Sequence, residues 1–300
     1  MRFVKMQGAG NDYVYVDCFR EEVPEPEALA RAVSDRHFGI GSDGLILILP
    51  SERADVRMRM FNPDGSESEM CGNGIRCVAK YAVDSGLATG PSLFVETGRG
   101  VLALDTFADR PGGAVDRVRV AMGAPLFEAA AIPFLPAPGT APPFLEQPFM
   151  VAEGGREREI RGSVVSMGNP HLVVFVEDAE SYPVGTVGAL LERHPAFPRR
   201  TNVEFVTPLP GGGVRVRTWE RGTGETLACG TGASAVAVVM RLLHGHSGPL
   251  EVFLTGGQLT LEWDGQGSVL MTGPAVEVFR GEYFPATSPR ESLDLHRGGQ

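Results

Sequence analysis

Short runs of β-branched and apolar residues alternate with clusters of turn-forming residues along the whole chain. Runs of this length and composition are typical of β-strands. The strands predicted in the first half are 14–16, 45–49, 56–61, 101–104 and 115–120. Those predicted in the second half are 164–165, 172–176, 203–206, 214–219, 252–254 and 259–263. We therefore expect mostly β-structure, although the pattern leaves the order of the strands open.

Three segments have the periodicity of helices, and they are 27–38, 75–85 and 233–243. The third is so rich in Ala and Val that we expect it to be buried. Residues 123–143 are rich in Pro and Ala and are predicted to form a linker or surface excursion, with Phe134 and the nearby Phe144 as candidates for packing. Each half is thus expected to fold as strands around one central helix.

The two halves repeat one another with an offset of 158 residues. Residues 71–74, Cys-Gly-Asn-Gly, recur as residues 229–232, Cys-Gly-Thr-Gly. The same ungapped offset relates further identical residues, which are Pro50, Val56, Arg57, Arg59, Glu67, Val78, Ala79, Thr97 and Gly98. A period of about half the chain indicates a duplication and not an array of short repeats. Two cysteine turns in one register predict a single site built from both halves.

The composition agrees with a two-domain globular protein and limits its partners. At ~100–200 residues per domain, a chain of 300 residues suggests two domains. A formal net charge of −10 disfavours binding to nucleic acid or to an anionic membrane. The N-terminal residues lack the apolar segment of a signal peptide, and no run reaches the ~18 apolar residues of a membrane span. We therefore expect a cytoplasmic location, in which the four cysteines serve chemistry or are buried instead of forming disulfides.

The cysteine turns suggest proton transfer at a carboxylate-bearing carbon. A cysteine at a helix N-terminus lies in a positive field that lowers its pKa. The free amides around Gly72, Asn73, Gly230 and Thr231 can bind a carboxylate. If the two N-termini face one another, a carboxylate would lie between two thiols. Such a site can remove a proton from one face of an α-carbon and return one to the other face.

Structural and metal-binding roles for the cysteines are the alternatives. Cys71 and Cys229 could be buried structural residues beside coincidental glycines. The spacing of Cys71 and Cys77, without a nearby His, does not match a zinc site, and no metal site is predicted. Cys77 falls on Ala235 in the repeat and Cys18 has no cysteine counterpart, so both are predicted to be buried bystanders.

Polar residues in the loops beside the turns are candidates for substrate binding. Asn62 and Glu220 each lie nine residues before the cysteine of their half, which makes their loops equivalent. Different residues at equivalent places suit a substrate whose remainder is asymmetric. A turn-forming role for Asn62 and a surface ion pair of Glu220 with Arg221 are the structural alternatives.

Three further polar residues stand at the starts of predicted strands. Asn202 precedes its strand as Gly44 does in the first half. Asn11 and His171 each open an apolar strand and would be equivalent if one residue of gap is allowed. A turn role for Asn11 and a satisfied strand-end role for His171 are again the alternatives.

At these residues the chain resembles the diaminopimelate epimerases, which are pyridoxal-independent isomerases of lysine and peptidoglycan precursor synthesis. The resemblance spans roughly residues 1–285. It rests on five ordered motifs, at residues 6–12, 61–77, 168–171, 201–205 and 220–233. The related proline racemases typically carry His where this chain has Asn73, and the phenazine-biosynthesis type lacks the paired cysteines.

The resemblance implies interconversion of LL- and meso-2,6-diaminopimelate without a cofactor or a metal. It implies that Cys71 and Cys229 are the acid and base, and that His171 and Glu220 help to set their protonation. The implied substrate-binding residues are Asn11, Gly72, Asn73, Gly230 and Thr231 at the reacting end, and Asn62, Asn169, Asn202, Glu220 and Arg221 at the distal end.

The resemblance also implies an α+β fold of two pseudo-symmetric domains, each a β-barrel-like sheet around a central helix. The implied domains are residues 1–121, completed by a returning strand at 273–284, and residues 122–272, with a polar tail at 285–300. Homodimers are usual in the family. Some members have Gln where this chain has Gly44, so one substrate contact is expected to be missing.

Three other functions stay open from the sequence. The first is an isomerase of the same architecture that acts on another amino acid. The second is a dithiol redox protein or a hydrolase with a thiol nucleophile, and the third is a binding protein without catalysis. The sequence does not say which thiol is deprotonated at rest.

Overall fold

The computed structural model describes residues 1–284, and the predicted polar tail at 285–300 lies outside them. The helices are α1 (Pro26–Ser34), α2 (Gly72–Asp84), α3 (Val184–Glu192) and α4 (Gly230–His244). The strands are β1 (Arg2–Gly8), β2 (Asn11–Asp17), β3 (Leu45–Leu49), β4 (Val56–Phe61), β5 (Glu67–Ser68), β6 (Ser92–Thr97), β7 (Gly100–Phe107), β8 (Arg117–Ala121), β9 (Phe144–Glu153), β10 (Arg156–Ser166), β11 (Pro170–Phe175), β12 (Asn202–Pro208), β13 (Val214–Glu220), β14 (Gly224–Thr226), β15 (Leu250–Leu254), β16 (Gly257–Glu262), β17 (Leu270–Pro274) and β18 (Val276–Glu282). None of these helices is long and apolar enough to cross a membrane.

The strands form one continuous 18-stranded sheet, and its two halves have the same strand order. In the first half neighbouring strands run β18-β1-β2-β3-β4-β6-β7-β8. In the second half they run β9-β10-β11-β12-β13-β15-β16-β17. The antiparallel pair of β8 with β17 joins the halves. Each strand of one half thus has a counterpart in the other, which confirms the predicted duplication.

The registers extend the repeat further than the sequence matches alone. β2 pairs with β3 with Val14 opposite Leu45, and β11 pairs with β12 with Leu172 opposite Val203, each 158 residues later. The helices α1 and α3 are also related by this offset. No gap is therefore needed at the start of these strands. The expected equivalence of Asn11 with His171 is wrong, because Asn11 corresponds to Asn169 and Tyr13 corresponds to His171.

Each half encloses one helix within its sheet. The side chains of α2 from Asn73 to Ala82 are buried, and α4 is buried from Ala233 to Met240. In β3 the side chains alternate between two cores. Ile46 and Ile48 join the large cluster around the central helices, while Leu45 and Leu47 pack in the small cluster under α1. The fold is the predicted two-domain α+β type, and the domain boundaries stay a prediction.

Several element boundaries differ from the predicted ones for identifiable reasons. α1 ends at Ser34 and not at residue 38, because the Asp35 carboxylate accepts the amides of His37 and Phe38. The two central helices begin at the glycine after each cysteine, three residues earlier than predicted. Residues 123–143 are a connecting segment, yet Phe134 packs on Phe144 with ring centroids 5.1 Å apart, as expected.

Candidate active site

Both cysteines of the repeat are N-cap residues of the central helices. Cys71 precedes α2 and Cys229 precedes α4, each with extended backbone dihedral angles. Each Sγ accepts the amide of the residue three positions later, Gly74 or Gly232, at 3.4 Å. Because the amides of a first helical turn lack intrahelical acceptors, each thiol lies beside donors that can bind an anion.

The two helix N-termini meet across the boundary between the halves. Asn73 Nδ2 donates to the carbonyl of Ala228, the residue before Cys229, at 3.2 Å. Gly72 and Gly230 face the same two methionines. A Cβ at Gly72 would lie 3.2 Å from Cε of both Met122 and Met271, and a Cβ at Gly230 would lie 3.3 Å from Met271 Cε. The glycines therefore let the first turns of both helices approach the same pair of methionine side chains.

Cys71 is surrounded by groups from the first half. Its Sγ lies 3.4 Å from Asn11 Oδ1 and 3.7 Å from the Tyr13 hydroxyl, which donates to it. Asn11 is held in turn by Asp43, whose Oδ2 accepts from Asn11 Nδ2 at 2.7 Å. Asn11 is thus oriented toward the thiol, and its implied role in substrate binding stays a prediction.

Cys229 is surrounded by a buried polar network from the second half. Its Sγ lies 3.4 Å from the Thr231 hydroxyl, which accepts from Asn169 Nδ2 at 3.3 Å. The Asn169 Oδ1 lies 3.0 Å from His171 Nε2, and His171 Nδ1 lies 2.8 Å from Glu204 Oε1. Asn169, which the resemblance implies at the distal end of the substrate, is therefore hydrogen-bonded to Thr231, whose hydroxyl lies beside the Cys229 thiol. His171 reaches that thiol through Asn169 and Thr231.

The charge of Glu220 acts on both thiols. Burial raises the pKa of its carboxyl group, which accepts the Thr226 hydroxyl at 2.6 Å and also faces Cys229. Its negative charge in turn raises the pKa of both Cys71 and Cys229. A group on the second half that influences both thiols is consistent with one shared site.

The thiols are not acidified, contrary to the expectation from their helix N-termini. Burial is the main cause that raises the pKa of Cys71, while the Gly74 amide and the Tyr13 hydroxyl oppose it. Burial raises the pKa of Cys229 further, and the charges of Glu220 and Glu204 add to this effect. Desolvation of a thiolate therefore outweighs the helix N-terminus at both positions.

The remaining predicted residues lie in the flanking loops. Asn202 Nδ2 donates to the Pro170 carbonyl at 2.8 Å, and its Oδ1 accepts the Arg221 amide at 2.9 Å. The exposed Arg221 guanidinium donates to the Arg199 carbonyl at 3.2 Å. Asn62 Nδ2 donates to Ser66 Oγ at 2.9 Å, within its own turn. The described contacts thus join Asn202 to Arg221, whereas those of Asn62 fit the turn-forming alternative.

Sequence reasoning missed Tyr13, Asp43 and Glu204. The repeat could have identified Tyr13 as the counterpart of His171. Glu204 carries a clear signal, because it stands where the first half has Ile46, on the strand face that packs against the central helix. A carboxylate at a core-facing position is rarely buried without a function.

The other two cysteines differ from the pair. Cys77 is fully buried in α2, and burial raises its pKa to about 11. Cys18 is only partly buried, which differs from the prediction, although this burial also raises its pKa to about 11. Among residues 1–284, no group of three or more His, Cys, Asp and Glu side chains is arranged to hold a metal ion.

Comparison with known proteins places this chain in one family. The sequence profile described as diaminopimelate epimerase matches residues 3–127 and 163–278. A diaminopimelate epimerase of Moorella thermoacetica is 53% identical over 285 residues, which cover 94% of this chain and 99% of that one. One of Pelotomaculum thermopropionicum is 50% identical over 94% of this chain and 99% of that one.

Solved structures of distant relatives share the fold. A phenazine biosynthesis protein of the PhzF family from Bacillus anthracis superposes with a TM-score of 0.69 at 19% identity, covering 95% of this chain and 99% of that one. A probable proline racemase from Agrobacterium radiobacter gives a TM-score of 0.65 at 17% identity, over 95% of this chain and 93% of that one. At such identities the likeness concerns the fold alone.

Proposed function

This chain belongs to the diaminopimelate epimerase family of isomerases, and we propose that it interconverts LL- and meso-2,6-diaminopimelate with Cys71 and Cys229 as the acid–base pair. The product would serve lysine and peptidoglycan precursor synthesis. The observation that carries the mechanism is the meeting of two cysteine-capped helix N-termini, joined by the Asn73–Ala228 hydrogen bond.

The proposed reaction moves one proton off and one proton onto the same carbon. The thiolate of one cysteine takes the α-proton, and the electron pair of the broken C–H bond is delocalised into the substrate carboxylate. The first-turn amides of α2 and α4 would bind that carboxylate and stabilise the charge as it develops. The thiol of the other cysteine then donates its proton to the opposite face, so the two cysteines exchange protonation states.

The loops beside the second thiol would hold the distal amino-acid end. The exposed Arg221 guanidinium donates to the Arg199 carbonyl, and the backbone amide of Arg221 donates to Asn202 Oδ1. A planar guanidinium binds a carboxylate through two parallel hydrogen bonds. Asn62, Asn169 and Glu220 are proposed as the further polar contacts of this end.

Deuterium incorporation tests the two-base mechanism directly. The protein is incubated with LL-diaminopimelate in heavy water, with chelator and without added cofactor, and the stereoisomers are separated early in the reaction. We expect deuterium at the inverted carbon of the product, while the remaining substrate stays nearly unlabelled. Substantial return of the original proton to the product would indicate a single base and contradict the proposal.

Substitution of each cysteine is the matching genetic test. Cys71→Ala and Cys229→Ala should each lower kcat by about 10³-fold or more, because each removes the base in one direction and the acid in the other. Retention of substantial epimerase activity by either variant would refute the two-thiol mechanism.

Proline turned over as fast as diaminopimelate would move the substrate assignment to another amino acid.

The homodimer that is usual in the family stays a prediction. Sedimentation equilibrium of the purified protein measures it, and a mass of one chain at working concentration would contradict it.

A further inference from the structure

Arg76 is a fully buried cation without a carboxylate partner among the described residues. Its Nε donates to the Pro274 carbonyl at 3.1 Å, and its Nη1 donates to the Gly72 carbonyl at 3.1 Å and to Asn73 Oδ1 at 3.0 Å. Within residues 1–284 its Nη2 has no hydrogen-bond partner. Buried arginines are normally paired with an anion, since desolvation of an isolated charge is costly. An unpaired one beside the site therefore calls for a functional explanation.

The surrounding backbone leaves room for this guanidinium. A Cβ at Gly8 would lie 2.9 Å from Arg76 Nη2, and a Cβ at Gly273 would lie 3.0 Å from Arg76 Cζ. Two strands from different ends of the chain thus carry glycine where they pass the guanidinium. A larger residue at either position would crowd the guanidinium.

The repeat shows that the charge is specific to one half. The counterpart of Arg76 is Ser234, whose Oγ donates to the Gly230 carbonyl at 2.9 Å. Both side chains therefore bond the carbonyl of the first helical residue, but only Arg76 is charged. The second half instead carries Glu204 and Glu220, where the first half has Ile46 and Asn62. The duplicated site is polarised, with a cation behind one thiol and two carboxylates around the other.

We propose that Arg76 is a positioning residue for the epimerisation, one that holds Asn73 against Ala228 and places positive charge beside the backbone of Cys71, so that Cys71 is the first of the two thiols to lose its proton while Cys229 keeps its own. The inference rests on the two-thiol reaction proposed above and names the protonation order within it. Its structural basis is the continuous chain of hydrogen bonds from Arg76 through Asn73 to Ala228.

The other ionisable groups near these atoms agree with the proposed order. The groups that face Arg76 or Cys71 are Tyr13, Tyr15, Asp43, Cys77 and Glu220. Burial lowers the pKa of Arg76, and Cys77 and, to a smaller extent, Cys71 raise it in return. Glu220 opposes a thiolate at Cys71, but at Cys229 both Glu220 and Glu204 do so. The negative charge is therefore less costly at Cys71.

The pH dependence of thiol alkylation in the free enzyme tests this assignment without substrate. Arg76→Met, Arg76→Lys and the unchanged protein are treated with iodoacetamide from neutral to alkaline pH, and mass spectrometry of peptides follows Cys71 and Cys229 separately. In the unchanged protein Cys71 should titrate at lower pH than Cys229. In Arg76→Met the rate at Cys71 near neutral pH should fall about tenfold, which corresponds to one unit of pKa. The rate at Cys229 should change much less.

The lysine variant separates charge from geometry. Arg76→Lys keeps the positive charge, so alkylation at Cys71 should stay close to that of the unchanged protein. It loses the planar fork in which Nε bonds the Pro274 carbonyl while Nη1 bonds Gly72 and Asn73, so kcat should fall several-fold with a smaller change in KM. This variant also decides the matter if Arg76→Met does not fold. A Lys variant with unchanged kcat would overturn the positioning role.

Lys80→Met is the matched control, because Lys80 is a buried cation of the same helix that is paired with Asp84 at 2.8 Å. It should leave the alkylation of Cys71 unchanged. A folded Arg76→Met protein with unchanged alkylation, or with equal changes at both cysteines, would overturn the proposal. Failure of the two-thiol reaction would be seen instead as activity retained by Cys71→Ala or Cys229→Ala.

Discussion

The two thiols have equivalent backbone positions but different neighbours. Cys71 contacts an amide oxygen and a phenol, whereas Cys229 adjoins a network that contains two carboxylates. A glycine-rich turn before a helix was enough to predict that both cysteines lie near helix N-termini. Their neighbours were missed, because Tyr13 and Glu204 stand within strands and carry a signal only when the two halves are compared position by position.

Arg221→Ala is expected to weaken substrate binding. Removal of two charge-assisted hydrogen bonds to the distal carboxylate should raise KM by about tenfold to a hundredfold, with kcat much less affected. Steady-state kinetics with diaminopimelate measure this. Arg221→Lys serves as the control and should fall in between, because an ammonium group keeps the charge but not the fork. An unchanged KM in Arg221→Ala would exclude this arginine from the site.

Cys77→Ala should affect stability and not catalysis. The repeat already places Ala235 at the equivalent position of α4. Loss of one buried sulfur atom should lower the free energy of unfolding by about 1 kcal/mol, as measured by urea denaturation. The pKa of Cys77 is about 11, so this thiol is protonated at neutral pH and kcat should be unchanged. A kcat as low as that of Cys71→Ala would show that Cys77 takes part.

At the scale of elements, the same ion pair closes the loop before each cysteine. Arg59 donates to both carboxylate oxygens of Glu67, at 2.8 and 2.9 Å. Arg217 does the same to Glu225, at 2.7 and 3.0 Å. Each pair ties a long central strand to the short strand that leads into the N-cap. The sequence repeat contained all four residues, but only the strand pairing shows why they are repeated.

Glu67→Gln should give a small, pH-dependent loss of stability. The Arg59 guanidinium lowers the pKa of Glu67 below its ordinary value. Stability from this pair is therefore present above the unfolded-state pKa, about 4.3, and is lost as the pH falls through the lower folded-state pKa. The pair is partly exposed, so the variant should lose only about 0.5 kcal/mol at pH 7.

Urea unfolding of both proteins at neutral and acidic pH measures this difference, which should vanish at low pH. Glu225→Gln is the paired comparison. Its arginine also donates to the carbonyls of Ala179, Glu180 and Tyr182, so the loss should be smaller. If the difference in free energy of unfolding between the unchanged protein and Glu67→Gln grew as the pH fell, the stabilising role of this ion pair would be contradicted.

Prediction from the sequence succeeded where one element carries its own pattern. The runs of β3 and β12 and the helices after the cysteines were of this kind. It failed for α3, whose sequence lacks a polar face, for β9, and for the first part of β10, where residues 156–159 are all charged and exposed. Residues 273–284 were expected to be one strand, but Ala275 separates β17 from β18. The partners of these strands lie far away in sequence, so no local pattern specifies them.

At the scale of the whole molecule, the site exists only when both halves are assembled. Oxidation of the free protein should therefore link Cys71 to Cys229 and abolish activity, and a reductant should restore it. Peptide mapping without reduction identifies the disulfide. Cys77 should stay reduced, since it is fully buried and protonated. A Cys18–Cys77 disulfide in place of the expected one would show that the two catalytic candidates lie apart.

The pairing of the outermost strands has a consequence for how the two halves are connected. β9 completes the second half from a position just before it in sequence, whereas β18 completes the first half from beyond the second. Met1 and Tyr283 nevertheless lie side by side, since the N-terminal ammonium group of Met1 donates to the Tyr283 carbonyl and the Tyr283 amide donates to the Met1 carbonyl. A circular permutant that links Tyr283 to Met1 and opens between residues 123 and 143 would run β9 to β17 and then β18, β1 to β8. Its two halves would be consecutive copies with one strand order. The present connectivity therefore corresponds to a tandem repeat in which the first strand of one copy, β18, stands at the end of the chain.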